Sequence, residues 1–467
     1  MKIDTIAAIS TGMSNSGIGI VRMSGTESFR IIDKIYVGKH KLSEVESHTI
    51  HFGYIMSGNE TVDEVLVSIM KGPGTFTGED TVEINCHGGT FVVQKVLEIV
   101  LKNGARPAEP GEFTKRAFLN GKLDLSQAEA VIDVINAQNE YALKSSVSQL
   151  KGSLKDKINN IRSQIIFHTA FIETALDDPE HIEVAGYGDE LKKVAVELIN
   201  EIEMLINSAD DGRILKEGIQ TVIIGKPNAG KSSLLNVLAG RERAIVTDIE
   251  GTTRDALEEQ VRLEGLNLNI IDTAGIRDTE DIIEQMGVDK AKEYVENSDL
   301  VIYVVDASRP LDENDEKIID LVYNKKLIVL LNKSDLNTVI TKENLQKEFQ
   351  CGFENERKLA ENIPMIDISA KEEQGIKEFI GLLKKMFIKG KLSFNEEVYI
   401  TNLRQKYALL GACESLNKVI ESVNNQLPED FYSIDLIDAY EALGNITGET
   451  IGEDLINEIF SKFCVGK

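Results

Sequence analysis

A chain of 467 residues exceeds what one hydrophobic core organises and implies about three domains. Hydrophobic residues at 42% and charged residues at 27% are ordinary soluble values, and no apolar run approaches the roughly 20 residues of a membrane span. The formal net charge of -26 speaks against a nonspecific nucleic-acid coat, because phosphate contacts need Lys and Arg; any RNA role rests on a local basic patch or on a partner's surface.

The opening "MKIDTIAAIS" has neither a basic region before an apolar stretch nor the Arg and Ser enrichment of a transit peptide, so a cytoplasmic protein is expected, with no membrane association. From the first residue to Lys122 the pattern is short β-type runs broken by Gly and Pro: "IAAIS", "GIGIVRMSG", "EVLVSIM" and "TVEINCHGG". One apolar helical run follows, "FVVQKVLEIVLKNG", with Gly104 as its stop. Residues 1–122 therefore read as a compact α+β domain.

The character changes at Ser126. Ser126 and Glu129 stand at capping-box spacing, and breakers become rare. Leu143, Val147, Leu150, Leu154, Ile158, Ile161 and Ile165 are spaced by fours and threes, which predicts one apolar stripe on a long helix. A second helix is predicted from about Asp189 to Ala209, and residues 123–217 read as the first part of a plain helical domain. From 218 to 385 the pattern alternates between strands and helices. "IQTVII", "LNLNIID", "LVIYVVD", "KLIVLLN" and "IPMIDIS" are near-continuous apolar runs, as parallel strands buried on both faces require. Helical character returns over 386–467, so the α/β domain is inserted into a helical one. The cysteines Cys86, Cys351, Cys413 and Cys464 lack C-x-x-C spacing, which indicates neither a zinc site nor a disulfide framework. "CVGK" is no lipidation signal, because Gly466 is not aliphatic and no polybasic run precedes it.

Chemistry concentrates in the α/β part. "GKPNAGKSS", Gly225 to Ser233, fits G-x-x-x-x-G-K-[ST] between a strand and a helix. Its glycines let backbone N–H groups curl round the β-phosphate, which puts Asn228, Ala229, Gly230, Lys231, Ser232 and Ser233 at the phosphates. Lys231 supplies charge to the β and γ oxygens, and Ser232 is placed to ligate Mg2+. In "GTTRD", Thr252 and Thr253 suit a switch loop closing over Mg2+ and the γ-phosphate, with Thr253 as the second Mg2+ ligand. In "DTAGIRD", Asp272 can hold the Mg2+ shell and Gly275 can offer its N–H to the γ-phosphate; Thr273 and Ala274 lie between them in the same nucleotide-binding segment. Ile276 stands where Ras-type enzymes carry the water-orienting glutamine. "NKSD" supplies Asn332, Lys333 and Asp335, and the Asp335 carboxylate can accept from guanine N1–H and the 2-amino group, a donor pair adenine lacks. "SAK", with Ser369 and Ala370, looks like the guanine O6 contact. Each piece singly is also what a turn after a strand looks like, but five in order on one α/β domain point to GTP binding.

This set, with "VRMSG", "GEFTKRAFLNGKLDLSQAEAV" and "FCVGK", resembles the MnmE (TrmE) family of tRNA wobble-uridine modification GTPases over essentially the entire chain. The resemblance implies a multidomain fold: an N-terminal α+β domain that dimerises and binds a folate, an α-helical domain, and an inserted α/β P-loop GTPase domain. It implies K+ in place of an arginine finger, held by Asn228 and by backbone carbonyls of Thr247, Ile249 and Thr252 in "VTDIEGTTRD", where Asp248 also joins the nucleotide-binding residues. The glutamine's task falls to Glu284, acting on water indirectly, so the catalytic set is Glu284, Lys231 and Thr253. Folate contacts are assigned to Arg22, Glu83, Lys122 and Lys467, with Cys464 near that site. The implied activity is a K+-dependent GTPase that acts as a homodimer with an FAD-dependent MnmG-like partner. It adds an aminomethyl or carboxymethylaminomethyl group to C5 of the tRNA wobble uridine from a tetrahydrofolate one-carbon unit. The alternative, a ribosome-assembly GTPase acting as a binding switch, would need a basic RNA-binding domain that neither flank supplies. A one-carbon transferase that needs no nucleotide fails on the completeness of the GTP motifs.

Overall fold

The computed structural model describes residues 4–178, 186–241, 259–271, 288–322, 325–351, 363–387 and 398–466. The chain forms two compact units, one of Met1–Asn136, Ser145–Ile206 and Leu403–Lys467, the other of Ala137–Lys144 and Asn207–Asn402.

The first unit contains a sheet of strands β1 (Ile6–Ile9), β2 (Gly19–Ser24), β3 (Tyr36–Gly38), β4 (Thr49–Ser57), β5 (Glu60–Met70), β6 (Thr81–Cys86) and β7 (Arg106–Pro107), in the order β3-β4-β5-β6-β2-β1-β7. Neighbours pair antiparallel except β1 with β7. Alternation along the strands sends Val21, Met23, Val67 and Ile84 to one face, where they pack with Ile31 and Ile32 of α1 (Ser28–Ile35) and Val96 and Val100 of α2 (Thr90–Lys102). On the other face Ile6 and Ala8 pack against Phe113 of α3 (Glu112–Leu119). Sequence periodicity missed β4, α1 and α3. Strand β4 carries Ile50 and Phe52 exposed and Ile55 buried, so its apolar residues lie on both faces and blur the period-two signal. Helices α1 and α3 are 8 residues each, too short for a repeat to stand out.

The helices correct two expectations, and two of them, at residues 140–150 and 187–217, run from one unit into the other. The predicted long stripe is broken: α5 (Glu140–Leu150) ends where Gly152 takes φ +98, and α6 (Ser153–Asp177) begins after it. Leu143 is 42% exposed and outside the core. The spacing rule counts only apolar residues, so a single left-handed glycine between two helices does not register in it. The capping box of α4 (Leu125–Asn136) is formed by Asp124 and Gln127, not by Ser126 and Glu129. Gln127 N–H donates to Asp124 Oδ1 at 2.8 Å, and Asp124 N–H donates to Gln127 Oε1 at 3.1 Å. Ser126 instead donates to Asp124 Oδ1 at 2.7 Å. Glu129 is buried and accepts from Arg404 at 2.8 Å and Gln405 Nε2 at 2.8 Å. Those bonds join the two helical stretches of the chain, as do Arg162, stacked 4.0 Å over the Tyr440 ring, and its 2.8 Å pair with Glu449. Helix α7 (Tyr187–Glu217) is longer at both ends than periodicity predicts.

The second unit holds strands β8 (Ile219–Ile224), β9 (Glu259–Leu263), β10 (Leu266–Ile270), β11 (Leu300–Asp306), β12 (Leu327–Asn332) and β13 (Met365–Asp367), in the order β13-β12-β11-β8-β10-β9. All pairings are parallel except β9 with β10. Buried clusters on both faces, one with Ile223, Leu268, Ile302 and Leu330 and one with Val222, Val301, Tyr303 and Val329, account for the continuous apolar runs. Strand β9, "EQVRL", is polar enough to escape the sequence reading. The loops after β8, β12 and β13 leave the carboxyl ends of parallel strands, where doubly wound sheets bind ligands.

Candidate functional site

Gly225 leaves β8 at φ +150, and a Cβ there would stand 2.2 Å from Val304 O, so no other residue fits. Asn228 takes φ +62 with its side chain exposed, and Gly230 takes φ +100 where a Cβ would meet Asn332 Nδ2 at 2.0 Å. The loop then feeds α8 (Lys231–Arg241), anchored by buried Leu234 and Leu235. Lys231 is buried and its Nζ donates to Gly225 O at 2.5 Å and Lys226 O at 3.0 Å, so the ammonium closes over the loop. Ser232 is half-buried and Ser233 exposed on the first turn of α8. Six expected phosphate-site residues thus lie on one strand-loop-helix turn, where N–H groups at a helix start favour an anion.

Asn332, at the end of β12, is buried and ties three loops together. Its Nδ2 donates to Ala229 O at 2.7 Å, and its Oδ1 accepts from Ala370 N–H at 3.0 Å. Lys333 takes φ +64 and its Nζ reaches Asp306 Oδ2 at 2.6 Å. Burial pushes the Asp306 carboxyl up, but the bonds from Lys333 and Ser308 outweigh it and hold the group below the usual carboxylate range. Ser369, fully buried, donates to Asp335 Oδ1 at 2.6 Å, and a bridge to Gln374 fixes its backbone. Asn332, Lys333, Asp335, Ser369 and Ala370 therefore meet as expected, with Asn332 acting as a brace between loops. Asp306, which orients Lys333, was missed; its one sequence signal is a carboxylate at the end of an apolar strand.

In the first unit Arg22 and Glu83 are cross-strand partners of β2 and β6, and Arg22 Nε pairs with Glu83 Oε1 at 2.7 Å. Arg22 also donates to Gly466 O at 3.4 Å and lies 5.7 Å from the Phe113 ring centroid. The end of the chain is pinned beside them. Ser10 Oγ donates to Gly466 O at 3.0 Å, Gly111 N–H donates to Cys464 O at 3.2 Å, and a Cβ on Gly466 would stand 2.2 Å from Ile9 O. Cys464 is exposed in this tail. Lys122 is exposed and donates to Pro73 O at 3.2 Å.

Thr247, Asp248, Ile249, Thr252, Thr253, Asp272, Thr273, Ala274, Gly275, Glu284 and Lys467 lie outside the described residues, as does Ile276.

A family model described as "GTP-binding protein TrmE N-terminus" matches residues 5–122, and one described as "MnmE helical domain" matches residues 125–464. The chain is 55% identical over 470 residues to the tRNA modification GTPase MnmE of Lachnoclostridium phytofermentans, with 100% of both chains covered. It is 47% identical over 475 residues to that of Acetivibrio thermocellus, again with 100% of both covered, and 45% identical over 470 residues to that of Alkaliphilus metalliredigens, with 99% of both covered. Identity at this level over 99–100% of each chain, with both family models matched, leaves one assignment: the chain belongs to the MnmE (TrmE) family.

Proposed function

We propose that the protein is a tRNA modification GTPase. It hydrolyses GTP and, with an FAD-dependent MnmG-like partner, installs an aminomethyl or carboxymethylaminomethyl group on C5 of the tRNA wobble uridine, using a tetrahydrofolate one-carbon unit. The observation that carries the nucleotide half is a bonded network in which Asn332 ties the Ala229 loop to Ala370 while Ser369 orients Asp335, which supports a carboxylate for guanine and a loop for phosphates in one site.

Lys231 balances charge on the β and γ oxygens, and the loop N–H groups hold the phosphates in line. The Ser232 hydroxyl, a hard oxygen donor on the first turn of α8, suits Mg2+, with Thr253 as the second protein ligand. The Asn228 amide oxygen, on an exposed left-handed turn of the loop, suits K+, whose shell would be completed by carbonyls of Thr247, Ile249 and Thr252. A cation so held would supply the positive charge that an arginine finger supplies elsewhere. Glu284 orients water indirectly, the task that Ile276 cannot perform.

For the folate half, Arg22 and Glu83 orient each other in a charge-assisted pair, offering a guanidinium toward carboxylates and a carboxylate toward pterin donors. Lys122 and Lys467 complete the assigned set. Homodimerisation through the N-terminal domain is supported by the exposed apolar residues Val37, Ile50, Phe52 and Leu66 on its sheet. Among the described residues no helix is long and apolar enough to cross a membrane.

Nucleoside analysis of tRNA from a deletion strain tests the proposal. Wobble uridines lacking the C5 aminomethyl-type group, restored by the gene in trans, are expected. Unchanged nucleosides with a ribosome-assembly defect would transfer the protein to the binding-switch class.

A further inference from the structure

We propose that Lys226, the second residue of the phosphate loop, is a positioning residue for GTP: it clamps the loop to the neighbouring helix and neutralises two carboxylates beside the phosphates. The inference rests on the reading of this loop as a GTP site. Lys226 Nζ lies 2.6 Å from Asp315 Oδ2 and 2.9 Å from Asp312 Oδ2. The Asp315 side chain is 1% exposed, and its other oxygen accepts from Tyr303 OH at 2.8 Å. Tyr303 is fully buried in β11, so the acid has little freedom to turn away.

Both acids also shape the start of the helix Glu313–Val322. Asn314 N–H donates to Asp312 Oδ1 at 3.0 Å, which makes Asp312 the N-cap, and Asp312 N–H donates to Asp315 Oδ2 at 3.0 Å, so Asp315 reaches back to the cap. At the other end, the Lys226 carbonyl accepts from Lys231 Nζ at 3.0 Å and from Ala229 N–H at 3.2 Å. One residue thus holds the phosphate-loop lysine through its backbone and docks the loop on a rigid helix through its side chain. Burial draws the Lys226 ammonium toward neutrality, but its bonds to Asp315 and Asp312 outweigh that and hold it charged.

Removing the Lys226 charge has two consequences. The loop's first turn loses its side-chain tether to the helix Glu313–Val322, and the freed carboxylates repel a polyphosphate. A second change at Asp315 should undo much of the second effect.

The test is GDP binding by the full chain, measured by titration calorimetry at low and high salt, with GTP turnover in parallel. Lys226→Met should weaken GDP by about tenfold or more at low salt and less at high salt, raising KM for GTP more than it lowers kcat. Lys226→Arg should stay within about threefold of the parent, since the charge and donors remain. Lys226→Met with Asp315→Asn should recover at least about half of the loss on a logarithmic scale. A merely structural residue would lower the melting temperature and leave GDP affinity of the folded protein unchanged. Parent-like affinity in Lys226→Met, or equal losses in the single and double variants, would overturn the proposal. If Lys226→Met does not fold, the double variant decides, and an affinity more than about tenfold below the parent there counts against it. Failure of the parent to bind GDP would overturn the reading of the site itself.

Discussion

Ser369 donates to Asp335 Oδ1, and that bond, aided by the charges of Lys371 and Lys333, holds the exposed Asp335 carboxyl below its usual range. At neutral pH Asp335 is therefore an acceptor with one oxygen already oriented, which suits the paired donors of guanine. Asp335→Asn should weaken GTP by about tenfold to hundredfold and favour xanthosine triphosphate, because the new amide donor meets a carbonyl there. Competition binding reads this directly, and an unchanged preference would sink the assignment. Asn228 carries a different expectation. If a cation stands in for the missing glutamine and finger, hydrolysis should be fast in K+ and slow in Na+ at equal ionic strength, and Asn228→Ala should remove much of the difference while sparing nucleotide binding. Equal turnover in both salts, at protein concentrations where GTPase domains meet, would overturn that mechanism. The placement of Asn228 and Asp335 in loops at strand ends was legible because such loops are local sequence motifs. The Arg22–Glu83 pair was not legible as a pair: its members are 61 residues apart, and only the register of β2 against β6 brings them together.

Long, two-sided strands such as β11 and β12 announced themselves through unbroken burial, whereas β4, β9 and the short helices did not, because their residues answer to two environments at once. The start of α4 shows how a motif can be right in kind and wrong in place. "DLSQ" and "SQAE" both fit the box, and only the reciprocal bonds choose Asp124 with Gln127. Asp124→Ala should cost about 1 kcal/mol of stability in denaturant unfolding, and more than Ser126→Ala, whose hydroxyl bonds the cap and not the helix. The reverse order would reinstate Ser126 as the cap. Helices α6 and α7 meet through His168 Nδ1 and Tyr187 OH at 2.7 Å. Burial holds the His168 ring below its ordinary range, against the opposing charge of Glu190. The unfolded chain therefore binds the proton more readily than the folded one, so this contact's contribution is complete above the unfolded value of about 6.5 and declines as the pH falls below it. His168→Phe should flatten that part of the stability profile; an unchanged slope between about pH 5 and 7 would show that His168 does not set it.

At the scale of the whole molecule, the net charge of -26 works against both self-association and RNA binding, so each needs a local surface to overcome it. The N-terminal sheet offers one for self-association. Phe52 and Leu66 are cross-strand partners, 54% and 48% exposed, and the same face continues through Ile50, Ser68 and Glu83 to Arg22 by successive register pairs. The opposite face is sealed by α1 and α2, and α3 covers only the Ile6 and Ala8 end of this one. An apolar row leading directly to the Arg22–Glu83 pair suits a dimer whose interface lies beside the proposed folate site. Phe52→Glu with Leu66→Glu places two like charges on that row without touching a buried residue, so the fold should survive while association is lost. Light scattering across the micromolar range should then read a dimer for the parent and a monomer for the double variant, with GDP affinity unchanged because the nucleotide loops belong to the other unit. A double variant that remains dimeric would move the interface off this face.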